Sequence, residues 1–300
     1  MAPIIRPARA EDLQTAQQLV VRSINDLTER HGFGPMASAR PAEFQLFSLK
    51  DDPDGLWVAE ANGEIVGFTF SWVNDDFWFL AELFINPARQ GDGIGRALLT
   101  RTFEHARKRA ARNRALITFT FNTVSQGLYI KHGLLPRLPL YFFRIERTAL
   151  KARSSREQLR AADIPDDGES RELLTRIDRS SLGFSRHKHH AFLRSDGATR
   201  GVLLYRGGDC VGYAYVNASG HIGPLAVLRR DDIGVAFATA LDIAAEGEAS
   251  HVSAFLPGTS EASLAIATAC GMRITFPMVL MSAEEFGDWQ RYLPRNPGFM

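Results

Sequence analysis

The chain has 300 residues and a mass of 33.3 kDa, enough for two domains of ordinary size or one large domain. Hydrophobic residues make up 45% and charged residues 23%, proportions that exclude a disordered, collagen-like or disulfide-stapled chain. The 35 basic and 34 acidic side chains leave a net charge of +1, which argues against binding of nucleic acid or of an anionic membrane.

The N-terminal segment, residues 1–12, carries charges where a secretory signal needs an apolar run. No stretch approaches the roughly 18 consecutive apolar residues of a membrane span. We therefore expect a cytoplasmic protein without a membrane partner.

The first predicted elements are a strand, a helix and then three strands. Residues 10–31 have apolar positions at helical spacing, and Glu11 and Asp12 suit the start of a helix. Residues 56–61, 65–73 and 77–86 read as strands, separated by the turn Asn62-Gly63 and by the pair Asp75-Asp76. This pattern predicts a three-stranded antiparallel meander.

A glycine-rich turn, residues 90–95, then leads into a predicted helix over residues 96–114. A strand over 115–121, a short helix over 125–132 that ends at Gly133, and a strand over 140–145 follow. We place the end of the first domain at residue 147.

Residues 148–170 are polar and rich in turn-forming residues, which is typical of a linker between domains. In the second domain, residues 171–300, strands predicted over 202–205, 210–216 and 222–228 repeat the earlier meander at a similar spacing. A helix over 231–246, a strand over 252–256, a helix over 260–270 and a strand over 276–281 follow. The second half therefore reads as a degenerate copy of the first.

The turn at residues 90–95 predicts a phosphate-bearing ligand, because a glycine-rich turn before a helix leaves backbone amides free at the positive end of the helix dipole. A dinucleotide site is disfavoured, since Arg96 stands where the third glycine of that motif belongs. The nucleotide-hydrolase loop is excluded as well, because no Gly-Lys-Ser or Gly-Lys-Thr follows.

The same turn has a companion about thirty residues later. Gln90-x-x-Gly93-x-Gly95, paired with Asn122-x-x-Ser125-x-x-Leu128-Tyr129-x-x-x-Gly133-Leu134, resembles the Gcn5-related N-acetyltransferase (GNAT) superfamily over residues 1–147. The resemblance implies an α/β (α+β) fold: a tandem of two GNAT-like domains, each a mixed, mostly antiparallel twisted sheet flanked by helices, with splayed central strands in the first.

The resemblance also implies acetyl-CoA as co-substrate and a primary amine as acceptor, with direct attack in a ternary complex. Backbone amides of the turn would hold the pyrophosphate, Arg89 and Arg96 would add charge, and the fourth strand and Asn122 would contact the pantetheine arm. The cofactor-binding residues implied in this way are Phe84, Ile85, Arg89, Gln90, Gly91, Asp92, Gly93, Ile94, Gly95, Arg96, Asn122 and Ser125.

Two residues are candidates for proton transfer. Tyr129 matches the tyrosine that, in the family, protonates the departing thiolate, and a phenol with a pKa of about 10 carries its proton at neutral pH. Glu82 is the nearest suitable carboxylate in sequence to take the proton of the amine. The alternative is that a chain of water molecules accepts the proton. Glu82 would then be only a solvated or ion-paired side chain.

Other clusters point less clearly to chemistry. The basic run at residues 107–114 suits a helix C-terminus, and residues 186–190 favour a polar loop beside a cleft over a metal site. Cys210 and Cys270 read as small buried hydrophobic residues, so no metal is expected. Residues 30–35, in a region that borders the acceptor site in the family, are either substrate contacts or a simple turn.

The second half lacks the cofactor motif. Residues 229–234 have two carboxylates where an anion would sit, and Leu264 and Ala265 stand near the positions of Leu128 and Tyr129. We expect this domain to act as a scaffold, to shape the acceptor cleft or to form a homodimer. The alternative function for the whole chain is a non-catalytic acyl-CoA sensor or interaction module. Acceptor identity and acyl length stay open.

Overall fold

The computed structural model describes residues 3–151 and 157–300, and its contacts divide the chain into two units. Unit 1 is Met1–Leu135 with Met281–Glu284, and unit 2 is Pro136–Leu280 with Glu285–Met300. The division differs from the boundary expected at residue 147, because strand β6 (Leu135–Glu146) pairs along most of its length with a later strand of unit 2. Residues 152–156 of the predicted linker lie outside the described residues.

Unit 1 combines strands of a mostly antiparallel sheet with α-helices. They are β1 (Ile4–Pro7), α1 (Asp12–Arg30), α2 (Glu43–Asp51), β2 (Leu56–Ala61), β3 (Glu64–Asn74), β4 (Phe77–Ile85), α3 (Ile94–Lys108), β5 (Asn113–Phe119) and α4 (Thr123–Lys131). The strands follow the order β1-β2-β3-β4-β5, and every pair is antiparallel except β4 with β5. The predicted meander is therefore confirmed. Asn62 and Gly63 both have positive φ, as its first two-residue turn requires.

Two predictions for unit 1 need correction. Helix α3 ends at Lys108 and not at residue 114, because Ala110 has φ of 51° and Asn113 already pairs with Phe77 as the first residue of β5. Helix α2 was not predicted, since its apolar residues do not follow one face. Its neighbours Pro41 and Pro53 are the only sequence signals for its ends.

Unit 2 repeats this order of elements. It contains β6, β7 (Arg160–Asp163), α5 (Gly168–Leu182), α6 (His187–Ser195), β8 (Thr199–Arg206), β9 (Asp209–Asn217), β10 (His221–Val227), α7 (Ile233–Glu246), β11 (His251–Pro257), α8 (Glu261–Ala269), β12 (Arg273–Ser282) and β13 (Tyr292–Leu293). From β7 to α8 the succession of strands and helices is that of β1 to α4, which confirms the predicted internal repeat.

The predicted linker and the predicted loop at residues 186–190 both contain regular structure. Strand β7 and the first residues of α5 lie within residues 148–170. Residues 187–190 begin helix α6 and are therefore not a loop. His189 and His190 are buried, and His187 and His190 line a pocket as expected. Among the described residues no helix is long and apolar enough to cross a membrane.

Candidate active site

The site begins where strands β4 and β5 diverge. Their parallel pairing covers only Phe77 to Leu80, opposite Asn113 to Leu116, while β4 continues along β3 to Ile85. The carboxyl ends of neighbouring parallel strands lie at the same edge of a sheet. The gap between the strands, the turn after β4 and the start of α4 therefore belong to one edge of unit 1.

The backbone of β4 has free groups on the side of this gap. The amide of Asn86 donates to Val66 of β3 at 2.9 Å, so by strand alternation Phe84 also faces β3, whereas Leu83 and Ile85 face the gap. The carbonyl of Ile85 accepts a hydrogen bond from the Ser23 hydroxyl at 3.1 Å. Of the two residues expected to present backbone groups, Ile85 faces the gap and Phe84 faces β3, while Leu83 faces the gap as well.

The glycine-rich turn has the form of an anion-binding cradle. Gly91 and Gly93 have φ of 94° and 81°, and the first bond of α3 runs from the amide of Ala97 to the carbonyl of Gly93 at 3.1 Å. No described residue accepts a hydrogen bond from the amides of residues 91–96. Free amides at a helix N-terminus attract a negatively charged group.

The charged side chains of the turn only partly support this role. Arg89 forms an ion pair with Asp92 at 2.8 Å, so the carboxylate of the turn offsets one of its two arginines. Arg96 is exposed on the first turn of α3, and Gln90 is exposed as well. The backbone amides, more than the side chains, make this turn suitable for an anion.

Tyr129 lies on α4, which begins at the same edge. The side-chain oxygen of Asn122 caps the helix by accepting the amide of Ser125 at 3.3 Å. The ring of Tyr129 is 5% exposed. Burial raises the pKa of its phenol above the ordinary value, and a hydrogen bond with the Ser125 side chain acts in the opposite direction. The phenol therefore holds its proton at neutral pH.

Glu82 faces the α1 and α2 side of β4, next to a β-bulge. The register between β3 and β4 slips by one residue at Ala81, between Glu82 and Leu80. Gln45 of α2 donates to Glu82 Oε1 at 2.9 Å, while the buried Oε2 has no hydrogen-bond partner among the described residues. Burial raises the pKa of this carboxyl to about 7, and the amides of Gln17 and Gln45 lower it.

The loop after α1 reaches the same region, which gives residues 30–35 a defined place. Thr28 donates to the carbonyl of Gly34 at 2.6 Å, and the side chain of Asn25 accepts the amides of Met36 and Ala37. Phe33 stacks on Phe121, the residue before Asn122, with ring centres 4.7 Å apart. This loop is recognisable in the sequence, whereas Gln17 and Gln45 are not, because a glutamine on a helix gives no signal of its partner.

A second cluster of unit 1 has the composition of a hydrolase triad but no access to solvent. Ser71 Oγ lies 2.9 Å from His105 Nδ1, and His105 Nε2 lies 3.1 Å from Asp52. Ser71 and His105 are 1% exposed and Asp52 is 6% exposed. A nucleophile must reach its substrate. We therefore assign this cluster a structural role: its hydrogen bonds connect α3, β3 and the turn before β2.

The comparisons with known proteins agree with this geometry. The family model described as "Acetyltransferase (GNAT) family" matches residues 21–134. An uncharacterized N-acetyltransferase of Archaeoglobus fulgidus is 31% identical over 115 residues, which cover 35% of this chain and 74% of that protein. An uncharacterized N-acetyltransferase of Methanocaldococcus jannaschii is 37% identical over 71 residues, 21% of this chain, but the match spans only 31% of that protein.

Two solved structures match nearly the whole chain. A putative acetyltransferase from Pyrococcus horikoshii has a TM-score of 0.75 at 18% identity, and the match covers 97% of this chain and 93% of that one. A tandem GNAT protein from the clavulanic acid biosynthesis pathway has a TM-score of 0.62 at 17% identity, covering 94% and 98%. At these identities the likeness shows the fold: two domains of the same kind in tandem.

Proposed function

Because this chain belongs to the GNAT family of acetyltransferases, in its tandem form, we propose that unit 1 transfers an acetyl group from acetyl-CoA to a primary amine by direct attack. The observation that carries the proposal is the row of unpartnered amides at residues 91–96, at the sheet edge where β4 and β5 diverge. That edge offers donors for a diphosphate beside a strand with free backbone groups.

The residues of the edge fit the parts of this co-substrate. The amides of residues 91–96 would bind the diphosphate, and Arg96 would add a positive charge. The backbone groups of Leu83 and Ile85 would pair with the amide-bearing pantetheine arm as a neighbouring strand does. Acetyl-CoA supplies an acetyl group activated as a thioester, with a thiolate as the leaving group.

Glu82 is suited to accept the proton that the amine loses. A primary ammonium must be deprotonated before its nitrogen can form the new amide bond, and a base with a pKa near 7 does this well at neutral pH. Glu82 has that pKa and an unpartnered oxygen, Oε2. It accepts the proton directly or through an intervening water molecule.

Tyr129 is suited to donate a proton at the other end of the reaction. As the carbon–sulfur bond breaks, the electron pair stays on sulfur, and a protonated phenol neutralises it. The raised pKa keeps the proton on Tyr129 until the sulfur needs it. The sum of the reaction is amine plus acetyl thioester giving amide plus free thiol.

The test is acceptor-dependent release of the free CoA thiol. We expect the wild-type protein to release thiol with at least one member of a panel of polyamines, amino acids, aminoglycosides and peptides. Removing a general acid costs about 10²- to 10⁴-fold, so Tyr129→Phe should lower kcat by that order without changing acetyl-CoA affinity. Tight acetyl-CoA binding with thiol release independent of Tyr129 would favour the sensor instead.

A further inference from the structure

Unit 2 repeats the site geometry of unit 1 up to the point where its own strands diverge. Strand β10 pairs in parallel with β11 only at His221 and Ile222. The amide of Leu228 donates to Val211 of β9 at 2.8 Å, as the amide of Asn86 does to β3 in unit 1. By the same alternation Leu225 and Val227 face the gap of unit 2, in the positions of Leu83 and Ile85.

In unit 2 this gap contains a strand of the same chain. Strand β13 pairs antiparallel with β10, Tyr292 opposite Ala226 and Leu293 opposite Leu225, and it lies beside β11 as well. The amide of Val227 donates to the carbonyl of Arg291 at 3.0 Å. Both residues of β13 are 0% exposed. The gap-facing backbone groups of β10 thus pair with another strand, whereas in unit 1 the carbonyl of Ile85 has a side-chain partner, Ser23, instead of a strand.

The chain after β13 stays on β10. A Cβ added to Gly223 would lie 2.7 Å from the carbonyl oxygen of Pro294 and 2.9 Å from Arg295 Cα, so the two backbones touch there. The imidazole of His221 donates to the carbonyl of Arg295. Residues 291–295 therefore follow β10 from its last residue back to its first.

The start of α7 in unit 2 carries a buried carboxylate. Asp232 comes directly before α7, is 4% exposed, and accepts two hydrogen bonds from Arg206, at 2.9 and 3.1 Å. In unit 1 the corresponding helix start has glycines and free amides. The Asp232 carboxylate makes no capping hydrogen bond to α7, but its negative charge close to the helix start disfavours a phosphate there.

We propose that unit 2 is a binding groove for an extended, amide-bearing chain, and that its permanent ligand is residues 291–295 of the same chain. This segment takes the place along β10 that a pantetheine arm would need, and the charge of Asp232 disfavours a diphosphate at the start of α7. The chain then binds one molecule of acetyl-CoA, in unit 1. The last statement rests on the function proposed for unit 1, whereas the occupancy of the groove does not.

The segment is anchored too firmly to exchange with a small ligand. The Arg291 guanidinium donates to the carbonyl and hydroxyl of Ser180, at 2.6 and 3.0 Å, and to the carbonyl of Leu228 at 3.0 Å, and it pairs with Asp288 at 2.8 Å. Hydrogen bonds from a charged donor are stronger than those between neutral groups.

Hydrogen exchange resolved to single amides tests the proposal on the wild-type protein. We expect the amides of Leu225 and Val227 to be protected without acetyl-CoA and unchanged when it is added, while those of Leu83 and Ile85 gain protection only with it. Calorimetric titration should give one acetyl-CoA per chain. Fast exchange at Val227 without ligand, added protection there with acetyl-CoA, or a second bound molecule would overturn the proposal.

A pair of variants separates the anchoring from a general loss of structure. Arg291→Ala should speed exchange at Leu225 and Val227 at least tenfold, with an unchanged far-UV circular dichroism spectrum. The control Arg229→Ala alters an exposed arginine whose ion-pair partner, Asp231, is exposed as well, and should leave exchange unchanged. Equal exchange in both variants would contradict the anchoring. Failure of Leu83 and Ile85 to respond to acetyl-CoA would instead contradict the function of unit 1.

Discussion

Burial disfavours the charged form of both Glu82 and Tyr129 and so raises the pKa of each. The two groups are nevertheless suited to different roles. The carboxyl reaches a pKa of about 7, so it exchanges a proton readily at neutral pH. The phenol starts from a higher value and is raised further, so it stays a proton donor. One physical cause, desolvation, thus separates the proposed base from the proposed acid.

The first residue-scale prediction concerns the pH dependence of the reaction. Because Glu82 must be unprotonated to act as a base, kcat/KM should rise with pH through a limb centred near pH 7, and Glu82→Gln should remove this limb. The measurement is the initial rate of thiol release from pH 5.5 to 9, with saturating acetyl-CoA and the acceptor well below its KM. Glu64→Gln, at an exposed position of β3, is the control. A limb that survives in Glu82→Gln would identify a water chain as the base.

The same pKa predicts an effect on stability. The folded-state pKa of Glu82, about 7, is above the ordinary 4.5, so the folded protein holds a proton that the unfolded chain releases. Its contribution is full below about pH 4.5 and is lost as the pH rises through 7. Between pH 5 and 8 the free energy of unfolding of Glu82→Gln should therefore gain roughly 1–3 kcal/mol relative to wild type. Urea titrations at both pH values measure it, and an equal difference at both would contradict it.

At the scale of elements, the turn before α3 depends on glycine at one position in particular. Gly93 precedes the helix with φ of 81°, a conformation that costs a residue with a Cβ about 1–2 kcal/mol. Space is not the limit, since an added Cβ at Gly93 would meet no atom within 4 Å. The backbone conformation that aims the free amides is therefore the property that this glycine provides.

We expect Gly93→Ala to weaken acetyl-CoA binding about tenfold, because the substituted turn relaxes away from the conformation that aims its amides. Gly127→Ala is the matched control: Gly127 lies within α4, has no positive φ, and has open space at its Cβ. That change should instead stabilise α4 by up to about 1 kcal/mol. Isothermal titration with acetyl-CoA compares the two variants. Equal affinities would show that the turn conformation does not matter for binding.

At the scale of the whole molecule, unit 2 holds a buried ion pair at its centre. Asp178 and Arg186 are both 0% exposed, and Arg186 donates to Tyr213, Tyr292 and the carbonyl of Met300. His190 Nε2 lies 2.8 Å from Asp178. Despite burial, the charge of Arg186 holds the pKa of Asp178 below its usual range. The network joins α5, α6, β9 and the chain around β13.

Arg186→Ala should therefore lower the free energy of unfolding by about 3–5 kcal/mol, since it leaves the Asp178 carboxylate buried without its partner. Arg171→Ala, on the same helix as Asp178, removes only a surface ion pair with Asp166 and should cost less than about 1 kcal/mol. Scanning calorimetry of both variants makes the comparison. Similar losses in the two variants would mean that the buried pair contributes no more than an exposed one.

Much of the fold and part of the site could be predicted from the sequence, because the relevant signals are local. The Asn62-Gly63 turn, the alternation along β3 and β4, and the glycines before α3 each encode a backbone conformation over a few residues. Helix α2 and strand β13 escaped prediction for the opposite reason. The first has no amphipathic pattern, and the second is a two-residue strand defined only by its pairing with β10.

The sequence by itself determined the meander of β2 to β4, the internal repeat and the motif that joins Gln90 to Gly95 with Asn122 to Gly133. Tertiary structure alone decided that Gln45 would meet Glu82, that Leu83 and not Phe84 would face the gap, and that residues 291–295 would fill the gap of unit 2. Propensity and periodicity act between near neighbours in the chain. Burial and strand pairing depend on segments far apart in sequence, whose meeting no local pattern records.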